Sequence, residues 1–211
     1  MFPMVGILLV VLVFGCSALV VSTPQGKEYP AILSDFPYPC SGPFKDKDKE
    51  LSEEVYLKKV LSELEAHKKW LMDSKDPEGH QANFCGAQLS SHNFQGTNLN
   101  SAIFQMAMLA GAKFIGATLN KAQLQGANLS GADFNDAHLI GAKLDHAMLY
   151  LAKFQKANLR EASLQHTMLY QAKLQGVGLR DVEGLIQSQI NMACLDRNTI
   201  LPKDLTQPEP C

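Results

Sequence analysis

Charge of one sign is what this chain lacks most plainly: 19 basic and 21 acidic side chains leave a net charge of -2 across 211 residues. Neither a polybasic nor a strongly acidic surface follows at the level of the whole chain, so an electrostatic, nucleic-acid-seeking character is excluded there. Also missing are a nucleophile motif, a P-loop, a dinucleotide fingerprint and any Cys-x-x-Cys pair, and paired carboxylates are scarce. The usual routes to catalysis and to a bound cofactor are thereby removed, and neither is expected. With 46% hydrophobic residues, intrinsic disorder is excluded as well.

Charge is wholly absent from Val5 to Val21, which is apolar through Ile7, Leu8, Leu9, Val10, Val11, Leu12, Val13 and Phe14. Such an N-terminal run implies export, to the periplasm or to a membrane attachment in the cell envelope. Three forms fit it. Val20-Val21-Ser22 has small-residue spacing for a cut that starts the mature chain near Thr23. Val13-Phe14-Gly15-Cys16 has the outline of a lipobox that would acylate Cys16. An uncleaved anchor fits the length of the run and the lack of Lys or Arg before it.

The organisation that follows has five parts: residues 1–22, the signal peptide or anchor; 23–50, a linker; 51–80, a helical cap; 81–183, a repeat region; and 184–211, a C-terminal cap and tail. The linker is inferred from Pro24, Pro30, Pro37, Pro39 and Pro43 and is expected to be irregular. A helix is predicted over Ser52 to Met72. Ser52 would cap it, Glu53 and Glu54 would sit in its first turn, and Leu57, Val60, Leu61, Leu64 and Leu71 would form its buried stripe. Leu185, Ile186, Ile190 and Met192 predict a short second helix.

The repeat region carries the dominant signal. From Phe84 to Leu179 every fifth residue is Leu or Phe, over twenty positions. Two residues earlier, sixteen of the twenty are Ala, the others being His92, Thr97, Thr167 and Val177. A period of five fits neither an α-helix nor an alternating strand. It fits a coil of square section with one pentapeptide per side, Leu or Phe and Ala inward, and the rest, Gln125 among them, outward. Residues twenty apart would then stack. Phe94, Phe114, Phe134 and Phe154 form one such column, and His146–Tyr150 is nearly repeated in His166–Tyr170. Twenty pentapeptides make five coils, a rod of about 24 Å at roughly 4.8 Å per coil.

The Ala-[Asn/Asp]-Leu rhythm of Ala127-Asn128-Leu129, Ala132-Asp133-Phe134 and Ala157-Asn158-Leu159 resembles the pentapeptide-repeat proteins. So do the flanks His67–Leu71 and Gly184–Leu205. The resemblance implies an all-β solenoid, a right-handed quadrilateral β-helix, here of about five coils with α-helical caps at both ends. It is weak for function, because members of that family do different things. A convex rod lacks a deep cleft, which again argues against an enzyme. The leading expectation is a non-enzymatic interaction or scaffold protein in the envelope with an unidentified protein partner. The family suggests an alternative, since some members imitate DNA and bind topoisomerases through an acidic face. Here Asn83–Val182 holds eight bases against five acids, the wrong sign for that role.

Outward columns supply the site candidates. Met148, Tyr150, Met168 and Tyr170, extended by Leu151, would form a contiguous contact surface. His146 and His166 with Met148 and Met168 have the chemistry of a soft-metal site such as one for Cu(I), although a duplicated coil of ordinary surface residues ranks ahead of it. His92, with His67 and His80, lacks a carboxylate or Cys at ligand spacing, so a buried histidine hydrogen-bonded to the cap helix is expected, with Trp70 packing there too. Setting aside Cys16, an even set remains: Cys40, Cys85, Cys194 and Cys211. On a five-coil rod Cys85 and Cys194 lie at opposite ends, beyond the ~7 Å that a disulfide spans. The expected pairs are Cys40–Cys85 and Cys194–Cys211.

Overall fold

The computed structural model describes residues 19–22, 28–31, 42–44 and 51–209. The chain forms two compact units, Met1–Pro39 and Cys40–Cys211. In the first, β1 (Leu19–Ser22) pairs antiparallel with β2 (Glu28–Ala31), with Val21 opposite Tyr29 and Val20 opposite Pro30. The stretch expected to be an irregular linker therefore contains a strand. Val and Tyr favour extended backbone, and the intervening sequence holds the turn formers Pro24 and Gly26. The rest of the apolar run, including Cys16, lies outside the described residues, as do Cys40 and Cys211. Among the described residues no helix is long and apolar enough to cross a membrane.

The second unit is built on the pentapeptide. Parallel bridges join residues twenty apart, from Asn83↔Ile103 through Met148↔Met168 to Lys153↔Lys173. Each coil donates and accepts in turn: Phe84 N–H bonds Ile103 O at 2.7 Å, and Ile103 N–H bonds Ala82 O at 2.9 Å. This stacking satisfies the backbone of the interior coils. Corners are four-residue turns in which, for example, Ala87 N–H returns to Phe84 O at 3.0 Å. The third residue of every corner from Gly86 to Gly176 has a positive φ. Glycine fits that conformation best, which explains the small residues of the repeat. The Leu, Phe and most of the Ala positions are buried, and the Phe rings stack: Phe94–Phe114 at 5.1 Å, Phe114–Phe134 at 4.9 Å and Phe134–Phe154 at 5.0 Å between centroids.

Helix α1 (Glu53–Met72) lies against the first coil, and it differs from expectation in which side it buries. Ser52 occupies the N-cap position but makes no side-chain capping bond. Val60 joins the core, whereas Leu57 and Leu61 are 44% and 51% exposed. The open edge of the first coil explains this. Its backbone donors need acceptors, and α1 supplies them: Tyr56 Oη takes Gln88 N–H at 2.7 Å, Glu63 Oε2 takes Asn83 N–H at 3.2 Å, and His67 Nδ1 takes Ala82 N–H at 3.1 Å. Turning these polar groups to the coil turns Leu57 and Leu61 away from it. Phe44, inside the expected linker, also enters the core, 5.7 Å from the Phe84 ring and 5.4 Å from Tyr56.

His67 rather than His92 makes the histidine bond between helix and coil. His67 is buried and stacks on Trp70 at 5.6 Å, while the His92 ring lies against Phe94 at 4.7 Å. Burial holds the His67 pKa below its ordinary 6.5; the pull of the Asn100 main-chain carbonyl on the ring N–H opposes this and nearby His80 adds to the lowering. Unfolded, the ring protonates near 6.5; folded, only at lower pH. Between these values the unfolded state holds more protons, so stability is full above 6.5 and declines as pH falls towards the folded value. Urea midpoints should therefore be lower at pH 5 than at pH 7.5. His67→Asn, whose carbonyl oxygen can still take the Ala82 N–H, should flatten that dependence. An unchanged pH profile in this variant would refute the assignment to His67.

At the other end the tail adds a sixth, irregular turn rather than only a helix. Cys194 bridges Lys173 and Ile200 bridges Gly178, at offsets lengthened beyond twenty by the insertion of α2 (Gln187–Ile190). Ile190 and Leu185 are buried, but Ile186 and Met192 are exposed, contrary to the predicted stripe. The inward place beside Ile190 belongs to Gln189. Its Nε2 donates to Leu164 O at 2.9 Å and to Thr167 O at 3.1 Å, and its Oε1 accepts Ile186 N–H at 2.9 Å. Asp196 completes the closure by accepting Gly176 N–H at 2.8 Å, where a further regular coil would offer a carbonyl. That bond is the main reason its carboxyl titrates below the ordinary value.

Candidate functional site

The four sides of the rod differ in charge. One consists of residues 87–91, 107–111, 127–131, 147–151 and 167–171, and it contains no Lys, Arg, Asp or Glu. Charged side chains of the five regular coils stand on the other three sides. Along the middle of the uncharged side runs a bridged ladder of Gln88, Met108, Asn128, Met148 and Met168. The next outward column is Ser90, Ala110, Ser130, Tyr150 and Tyr170. Met108 apart, the side thus carries small or polar residues over the first three coils and turns apolar over the last two.

Met148, Tyr150, Met168 and Tyr170 are brought together there. Met148 and Met168 are bridge partners on successive coils, and Tyr150 Oη donates to Met168 Sδ at 2.7 Å. Tyr170 is exposed, with its hydroxyl 3.5 Å from Gln171 Nε2. Leu151 occupies the adjoining corner with φ 58° and is 53% exposed. Glycine or asparagine would adopt this left-handed conformation at lower cost, and leucine there covers no core. Fold stability therefore gives no reason for Leu151. Met108, on the same ladder, escaped the sequence reading. The signal that could have found it is the absence of charge from every fourth pentapeptide.

His146 and His166 stand on the preceding corner with ring centroids 5.0 Å apart. The His146 pKa lies below its ordinary value, first through burial and then through His166, with Asp145 opposing. Asp145 itself accepts from the Ser163 hydroxyl and from Gln165 N–H, the latter at 3.1 Å. Met168 Sδ, the sulfur expected to join a metal set, is taken by Tyr150. Among the described residues no group of three or more His, Cys, Asp or Glu is placed to hold a metal ion. At the other end His80 meets Glu63 at 3.2 Å, apart from His92.

Cys85 and Cys194 are each disulfide-bonded. Cys85 is on the first coil and Cys194 beyond the fifth, roughly 24 Å away at about 4.8 Å per coil. They are therefore not bonded to each other.

Comparison with known families finds pentapeptide repeats in eight copies over residues 80–114, 117–155 and 152–181. Among solved structures the chain is similar to a pentapeptide repeat protein from the Arabidopsis thaliana thylakoid lumen, at 31% identity over 48% of this chain and 74% of that one, TM-score 0.40. It is similar to one from the cyanobacterium Cyanothece 51142, at 27% identity over 50% of this chain and 64% of that one, TM-score 0.36. A third is HetL of Nostoc, involved in heterocyst differentiation regulation, at 28% identity over 60% and 62% of the two chains, TM-score 0.30. The chain thus spans under two thirds of each cyanobacterial protein. A comparison with curated proteins finds no match.

Proposed function

Because this chain belongs to the pentapeptide-repeat family, we propose that it is a non-enzymatic protein-binding scaffold that works outside the cytoplasm, in the periplasm or attached to the envelope. One observation carries the reading: a side of the rod free of charge, with Met148, Tyr150, Leu151, Met168 and Tyr170 gathered at one end. Aromatic and Met side chains on a rigid surface provide large contact area with little entropy to lose. In this reading α1 and the tail are end caps that keep the open coils from pairing with other chains. Export is supported by the uncharged run Val5–Val21 and by the bonded state of Cys85 and Cys194, since disulfides persist in oxidising compartments.

A DNA-like acidic face has less support. Asp133 sits 3.3 Å from Lys153, Asp136 4.0 Å from Lys156 and Glu161 3.1 Å from Arg160. Acids interleaved with bases do not build the continuous negative potential of a duplex.

The test is capture of partners from the envelope by the tagged full chain, compared with the double variant Tyr150→Ala/Tyr170→Ala. The variant should keep the wild-type denaturation midpoint closely and lose the specific partner. Equal capture by both proteins would remove this face from consideration.

A further inference from the structure

Helix α1 buries one side against the first coil and carries a second apolar stripe beside it, in which Leu57 and Leu61 are exposed while Leu71 is half-buried and Leu64 packs in part against the core. Leu57, Leu61, Leu64, Lys68 and Leu71 follow one another at intervals of four, three, four and three residues. That is the spacing of a coiled-coil seam. Along the stripe runs a groove of about 550 Å³, bounded by Leu61, Leu64, Glu65, Lys68, Leu71 and Met72 on the helix and by Thr97 and Asn98 on the first coil. Met72 is 82% exposed at its end. A leucine stripe continuous with an open groove is the kind of surface that another chain covers.

We propose that this stripe is a dimer interface, in which α1 packs antiparallel against α1 of a second copy about a two-fold axis between Leu61 and Leu64. The centre of the stripe is complementary to itself in this orientation, while Leu71 at each end comes level with Glu54 of the second copy. Setting Leu61 against Leu64 of the second copy lays Leu57 on the aliphatic stem of Lys68. On the solvent flank of the seam, seven residues apart, stand Lys58, Glu65 and Met72. Lys58 comes level with Glu65 of the second copy, and the symmetry makes that pair twice. A parallel pairing would stack Lys68 on Lys68 inside the seam. The opposite flank, Val60 and His67, is buried against the first coil of its own copy. One partner helix fits, on one side. This surface is separate from the Met and Tyr face, so each proposal stands or falls alone.

Sedimentation equilibrium of the full chain at micromolar concentrations tests it. The wild-type chain should be dimeric. Leu61→Lys should abolish the dimer in that range. Lys58→Glu and Glu65→Lys should each weaken it about tenfold, since both copies' pairs become repulsive. Combining the two reversals should restore the wild-type constant. Lys58 also pairs with Glu54 at 2.7 Å within its own helix, so far-ultraviolet circular dichroism must show α1 intact in each variant. A monomeric wild type would overturn the proposal. So would a dimer indifferent to Leu61→Lys, or a double reversal no stronger than the single ones. Those outcomes would assign the stripe to another protein or to a different part of this chain.

Discussion

Phe134→Ala is expected to destabilise the solenoid by about 3–5 kcal/mol, the range for emptying a large buried aromatic site. The Phe134 ring is fully buried between two others, 4.9 Å from Phe114 at an interplanar angle of 3° and 5.0 Å from Phe154 at 7°. Its coil cannot collapse into the gap. Phe134 N–H bonds Lys153 O at 2.8 Å, and Asp133 N–H bonds Ala112 O at 2.9 Å, so the backbone is held from above and below. A cavity that stays open places the cost towards the upper end of the range. The control is Lys113→Ala on the exposed side of a neighbouring coil, expected within about 0.5 kcal/mol. Gln125, outward by its place in the repeat, does not serve as that control. It is 3% exposed, and its Oε1 is buried without a hydrogen-bond partner. Corner side chains stack on those of adjacent coils, so an outward direction at a corner does not mean exposure. Urea titrations of both variants decide the matter, and equal losses would contradict the inward register.

Reduction of the disulfides should produce the second large effect, about 2–4 kcal/mol for each bridge, with the longer N-terminal loop at the upper end. We propose Cys40–Cys85 and Cys194–Cys211 as the bridges. The first has a structural reason. Gly42 lies against the first coil so closely that an added Cβ would sit 3.2 Å from Cys85 Cβ and 2.8 Å from Asn83 Oδ1. Two residues of extended chain reach about 7 Å, enough to bring residue 40 to Cys85. The same stretch delivers Phe44 to the core and places Pro43 O 2.5 Å from Lys59 Nζ, so Cys85→Ser should loosen Phe44 and α1 together. Peptide mapping without reductant should yield the 40–85 and 194–211 pairs, and melting with and without reductant should show the loss. A cross-linked Cys85–Cys194 peptide would contradict the fold. Four alkylatable thiols would remove the bridges altogether.

The residues alone determined the solenoid. Its period is local: each pentapeptide carries its own inward Leu or Phe, its Ala and its corner, and twenty consecutive copies leave one way to bury them all. The stacking of residues twenty apart, the Phe column and the meeting of Met148 with Met168 follow from that count. Tertiary structure decided what happens where the period stops. At the first coil the unpaired backbone donors chose Tyr56, Glu63 and His67 over leucine, which turned α1 and left Leu57 and Leu61 outside. At the last coil Gln189 took an inward place that periodicity reserves for an apolar residue, because the Thr167 carbonyl there had no following coil to bond. Hydrophobic spacing reports which side chains avoid water, but an open edge is a demand of the backbone, and no side-chain pattern in the chain records it.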